Sequence, residues 1–121
     1  DATTADDNFD TAHPLYRLIG ELSQLRLSNP ALKHGLTTIR GFDHEGPGLL
    51  AVERDDPETR QRVLIAFNTS GERIIRHIEV DYRARGLVSL SGSCPVSVTA
   101  PGTAKLELPP FGWAACELVD R

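Results

Sequence analysis

RVLIAFNTSGERIIRHIEVD fills positions 62–81, and its pattern decides the fold. Val63 to Phe67 is an unbroken apolar run of strand length, closed by NTSGE at 68–72 and followed by a second run near 73–81. The turn residues Asn68 and Gly71 fit a hairpin between the two. A strand with no polar alternation is buried on both faces. One face of Val63–Phe67 therefore lies against an opposite sheet, and the other under something else.

The same rhythm continues on either side. Strands are expected near 36–40, 48–54, 62–69, 73–81, 86–91, 95–99, 103–108 and 113–119. Between them stand DHEGPG, DDPET, SGSCP, APGT and PPFG, each carrying the residues that turn a chain. Strands this short and this regularly spaced predict an all-β antiparallel β-sandwich of about eight strands over 31–121, not parallel β-α-β units.

Before Gly35 the period changes. Residues 1–12 are polar and without apolar periodicity, and read as a flexible tail. Residues 13–30 read as one helix. Pro14 suits the first turn, Leu15, Leu18, Ile19, Leu22 and Leu25 form an apolar stripe, and Asn29-Pro30 stops it. Tyr16 and Leu27 form a second patch beside that stripe. A helix covering one sandwich needs a single stripe, so two patches predict two apolar neighbours.

The chain has 121 residues, 40% hydrophobic and 25% charged, enough for one domain with a real core. The net charge is −4 with both signs interleaved, so no basic patch tracks a phosphate backbone and nucleic acid is not an expected partner. The apolar runs are too short to span a membrane, and the polar first residues carry no signal-peptide core. The sequence holds no Met, even at position 1, as in a processed or excised piece.

Residues able to carry chemistry are few. Asp43 and Glu45 share one loop, and Asp55, Asp56 and Glu58 another, but acids in turns mostly solvate the loop or make Asx-turns. Glycoside hydrolysis needs two carboxylates held at a fixed separation, and these loops offer no such scaffold. His13, His34, His44 and His77 lack metal-ligand spacing, Ser and Cys lack a nucleophile signature, and no cofactor is expected. NTS at 68–70 has the form of a glycosylation acceptor, which the hairpin turn also explains. Phe42, Tyr82, Phe111 and Trp113 are candidates for stacking on a sugar ring. Trp113 starts the last strand, where core or rim packing competes with that role.

The order of segments adds a resemblance. PLYRLIGELSQLRLSNPALKHG (14–35) resembles the last barrel helix of α-amylase-type enzymes, glycoside hydrolase family 13, with its Leu-x-x-Leu-Arg before Asn-Pro-Ala-Leu. GLLAVERDDPETRQRVLIAFNTSGE (48–72) is similar to the segment that follows there, a strand, an acidic loop and a second strand ending in Phe-Asn. LELPPFGWAACEL (106–118) resembles the closing strand of those proteins. The resemblance runs from about Pro14 to Val119, and implies that this chain is domain C, the C-terminal sandwich.

In such enzymes the catalytic carboxylates sit on an N-terminal (β/α)₈ barrel, and no residue here matches those motifs. The implied role is therefore non-catalytic: packing against the barrel of an enzyme that acts on α-glucosidic carbohydrate, with Tyr16 and Leu27 as barrel-interface candidates. GSCP (92–95) and WAAC (113–116) resemble secreted or periplasmic bacterial members, which implies an oxidising compartment and a Cys94–Cys116 disulfide. Two buried free thiols are the alternative. Two other functions stay open: an α-glucan-binding module using Trp113, Tyr82 and Phe42, and an interaction domain that docks or self-associates through the helix.

Overall fold

The computed structural model describes residues 20–21, 23–43, 45–91 and 94–121. The expected tail, the helix positions Leu15, Tyr16, Leu18, Ile19 and Leu22, and also His13 and His44, lie outside these residues.

Alternating and β-branched residues between turn signals give eight strands in the described chain: β1 Leu36–Phe42, β2 Leu49–Asp55, β3 Arg62–Asn68, β4 Ile74–Glu79, β5 Gly86–Ser91, β6 Val96–Ala100, β7 Thr103–Leu108 and β8 Trp113–Val119. They form two sheets, one of five strands in the order β1-β2-β3-β8-β5 and one of three in the order β4-β7-β6, all antiparallel. This is the expected all-β sandwich.

Parity along each strand sorts its side chains. Leu49 and Ala51 of β2, Leu64 and Ala66 of β3, and Ala114, Cys116 and Leu118 of β8 face the other sheet and meet Ile74, Ile78, Ala104, Leu106 and Leu108. Leu64, Leu106 and Leu108 are fully buried. Each such leucine stabilises by roughly 1.5–3 kcal/mol relative to exposure. The alternate residues Val63 and Ile65 point outward into a second cluster with Ala115, Ala31 and Leu32, joined by Leu25, Val52, Leu90 and Trp113. The unbroken apolar run of β3 thus has two covers: a sheet on one side and a helical segment on the other.

That segment departs from the expected single helix. Gly20, Glu21 and Ser23–Leu25 are helical, 26–28 turn, and Pro30–His34 forms a second short helix, α1. Pro30 starts a helix instead of stopping one, because the first turn needs no N–H from it. Asn29, the residue before it, is extended, with φ −127°. Its Nδ2 donates to the Leu25 carbonyl (2.9 Å). Gln61, just before β3, accepts from the Ala31 amide (3.0 Å) and donates to Asn29 Oδ1 (2.9 Å), fixing α1 to the sheet.

NTSGE is not a hairpin. β3 pairs with β2 and β8 while β4 pairs with β7, so the chain crosses from one sheet to the other here. The fully buried Asn68 holds the corner. Its Nδ2 donates to the carbonyls of Glu72 (2.6 Å) and Pro109 (3.0 Å), and its Oδ1 accepts from the Ser70 amide (2.9 Å) and hydroxyl (2.7 Å). The PPFG turn lies against this corner, with Asn68 N donating to the Gly112 carbonyl and Phe111 N to that of Ser70. A Cβ on Gly112 would sit 2.6 Å from the Pro109 ring and 3.0 Å from its carbonyl oxygen, so glycine is required there.

Candidate functional site

The outer face of the five-stranded sheet carries a second apolar cluster, apart from the core between the sheets. Its centre is covered by α1 and Leu25. Across the β1 end of the face, the paired residues Phe42, Leu50, Phe67 and Trp113 form one row over four adjacent strands. At one strand spacing per step the row spans roughly 14 Å. Phe67 is buried and Trp113 partly so, whereas Phe42 is 51% exposed and Leu50 41%. Ile39, opposite Val52, is 66% exposed. Leu27, in the turn before α1, stands off the cap at 79% exposure.

Two of the four aromatic candidates, Phe42 and Trp113, share that row. Tyr82 does not: it lies past β4 at the other sheet, near Gly102. The candidates therefore form no common platform. Trp113 packs with the cluster under α1, the packing role that its position also allowed. Phe111 sits in the PPFG turn with φ 56°. Tyr16 lies outside the described residues.

The loop acids are tied to the fold. Asp43 makes a bidentate pair with Arg76 of β4 (2.8 and 3.0 Å) and accepts the Leu49 amide through Oδ2 (2.8 Å). Asp56 accepts from Thr59 Oγ1 (2.7 Å) and the Glu58 amide (3.2 Å), the Asx-type turn expected of DDPET. The Thr59 hydroxyl bond is the main influence holding its carboxyl below the usual range. Glu45 is exposed. Among the described residues, no group of three or more His, Cys, Asp or Glu side chains is arranged to hold a metal ion.

A charged cluster closes one end of the sandwich, and sequence reading missed most of it. Glu53, fully buried, pairs with Arg40 (3.0 Å) and accepts the Asp81 amide (3.3 Å). Arg62 bridges Asp81 (3.1 Å) and Asp120. Burial works against the Arg62 charge, but the hydrogen bonds to Asp120 and Asp81 outweigh it and raise its pKa. Asp55 is pushed up to about 6, first by burial and then by the neighbouring Glu53 and Asp81 carboxylates. Arg83 and Arg62 hold Asp81 well below the carboxylate range. The signal available in the sequence was spacing: Glu53 and Asp55, two apart on one strand, share a face.

Cys94, just before β6, is bonded to Cys116 in the middle of β8, with a Cα–Cα distance of 6.0 Å. The implied disulfide is formed, and it joins the β5–β6 connection to the core face of the larger sheet.

An α-amylase of Streptomyces lividans is 42% identical to this chain over 71 residues, 59% of the chain. The chain is homologous to part of an α-amylase. It spans 8% of that relative's length. No protein-family model matches the sequence. The sandwich superposes on AmyP bound to maltotriose with a TM-score of 0.65 at 19% identity, over 86% of this chain and 20% of AmyP. It also superposes on a cyclomaltodextrinase with a TM-score of 0.63 at 15% identity, over 79% of this chain and 16% of that one. The α-amylase homology and the shared fold fit the C-terminal domain of a family 13 glycoside hydrolase.

Proposed function

We propose that this chain is the non-catalytic C-terminal domain of a larger α-amylase-type enzyme, where it packs against and stabilises the catalytic (β/α)₈ barrel. The observation that carries the reading is the helical cap on the sheet's outer face. It covers Val63 and Ile65 from one side and leaves Leu27 projecting away from the sandwich, as a layer between two bodies does. Leu27 and Tyr16 are the contacts assigned to the barrel. The parent acts on α-glucosidic carbohydrate, a reading supported by the α-amylase relative. The Cys94–Cys116 bond supports a periplasmic or secreted location.

Deleting the sandwich from the longer enzyme tests this. The catalytic part is expected to lose activity on heating at a temperature several degrees lower, and the 121-residue chain to release nothing from p-nitrophenyl α-glucoside, starch or sucrose. Unchanged heat inactivation, or turnover by the chain alone, overturns the proposal.

The shared row of Phe42 and Trp113 favours a second reading, weak α-glucan contact on the same face. Quenching of Trp113 fluorescence by maltoheptaose would establish it, and an unchanged spectrum would remove it.

A further inference from the structure

We propose that the flank of the outer face formed by β1 and β2, carrying Ile39, Phe42 and Leu50, is a second docking surface for the catalytic domain, continuous with the helical cap. The inference rests on the packing role proposed above and adds the sheet itself to the contact.

A local irregularity in β1 builds this surface. In a regular strand Ile39 and Phe42, three apart, point to opposite faces. Here the register shifts between Ile39 and Gly41, so Ile39 pairs with Val52 and Phe42 with Leu50. Val52 and Leu50 are both on the outer face, so the bulge turns Ile39 and Phe42 outward together. The two residues between them turn inward: Arg40 pairs with buried Glu53, and Gly41 lies against Leu49 and Ile78 of the core. A Cβ on Gly41 would come within 2.9 Å of the Leu49 side chain, so this arrangement specifically needs glycine.

Three large apolar side chains, 41–66% exposed, therefore stand side by side at an edge strand. Exposed apolar area of this kind, led by Ile39 and Leu50, suits a protein interface. Two of the three are aliphatic, which offers a sugar neither a stacking ring nor a hydrogen bond, and suits an apolar protein surface. The strip runs directly into the cap that the packing role already assigns to the barrel. In the relatives, most of the chain lies outside the part matched here: the match spans 20% of AmyP and 8% of the Streptomyces enzyme. The partner is the apolar face of that remaining catalytic part.

Cysteine labelling of the longer enzyme tests the flank separately from the packing role. Leu27→Cys, Leu50→Cys and Ile75→Cys are each labelled with a maleimide under native conditions, and the sites are read by mass spectrometry. Ile75 is 48% exposed on β4 of the other sheet and serves as the reference. Leu50→Cys is expected to label slower than Ile75→Cys by about tenfold or more, since it must wait for the interface to open. If Leu27→Cys is protected while Leu50→Cys matches Ile75→Cys, the packing role stands and the flank proposal falls. If all three label at the same rate, both fall. Protection of Leu50→Cys that disappears on dilution identifies a second copy as the occupant, and also overturns the proposal.

Discussion

Asn68 gives both ends of its amide to the corner where the chain leaves one sheet for the other, donating through Nδ2 and accepting through Oδ1. Asn68→Asp keeps the acceptor but places a carboxylate against the Glu72 and Pro109 carbonyls, while Asn68→Ala leaves those carbonyls and the Ser70 amide without their partner. Either change is expected to destabilise by roughly 2–4 kcal/mol, read from the midpoint of urea unfolding. Asp55 acts at the same scale through its proton. Its carboxyl titrates near 6 in the folded chain against an ordinary aspartate value of 3.8, so between those values the folded state holds more protons than the unfolded one. Stability from this group is complete below about pH 4 and is lost as the pH rises through 6. Asp81, held low by Arg83 and Arg62, works in the opposite direction and loses its contribution as the pH falls below 3.8. Asp55→Asn is expected to flatten the stability profile between pH 4 and 6; a profile as steep as before would show that another group titrates there.

The short helix α1 matters through one side chain above all. Leu32 is 6% exposed over Val63 and Ile65, and Leu32→Ala is expected to cost about 2–4 kcal/mol in urea unfolding and to expose the outer face to a hydrophobic dye. The strands were legible because turn residues punctuate them and inward positions alternate. The two-sided burial of β3 was legible because Val63–Phe67 has no polar face. The connectivity was not. A turn rich in Asn, Ser and Gly serves a hairpin or a crossover equally well, and only the distant Pro109 carbonyl decides which. Pro30 failed for a similar reason, since proline ends one helix and begins another with the same locked φ. The bulge in β1 was missed because the expected strand ended at residue 40, which left Gly41, the residue type that marks a bulge, outside it. Glu53, Arg62 and Asp81 read as ordinary charges until the fold brings them to one end.

At the scale of the whole molecule, the disulfide is the single covalent tie between the connection leading into the small sheet and the centre of the large one. Replacing Cys94 and Cys116 with serine, or reducing the bond, should lower stability by roughly 3 kcal/mol without altering the strands in the circular dichroism spectrum. A reduced protein with an unchanged unfolding midpoint would mean that the core alone holds the sheets together. Within the large sheet, β8 lies between β3 and β5, although it is made after both. During synthesis, therefore, β5 emerges with its sheet partner still unmade, and β3 waits with one edge bare. The large sheet is complete only once residues 113–119 lie between β3 and β5. Cys116 arrives on that strand, so its bond to Cys94 can form only after β5 and β6 have been made. A ribosome that stalls before Trp113 would leave a chain with two open edges, and such a nascent product is one that a cell's quality control must hold or destroy.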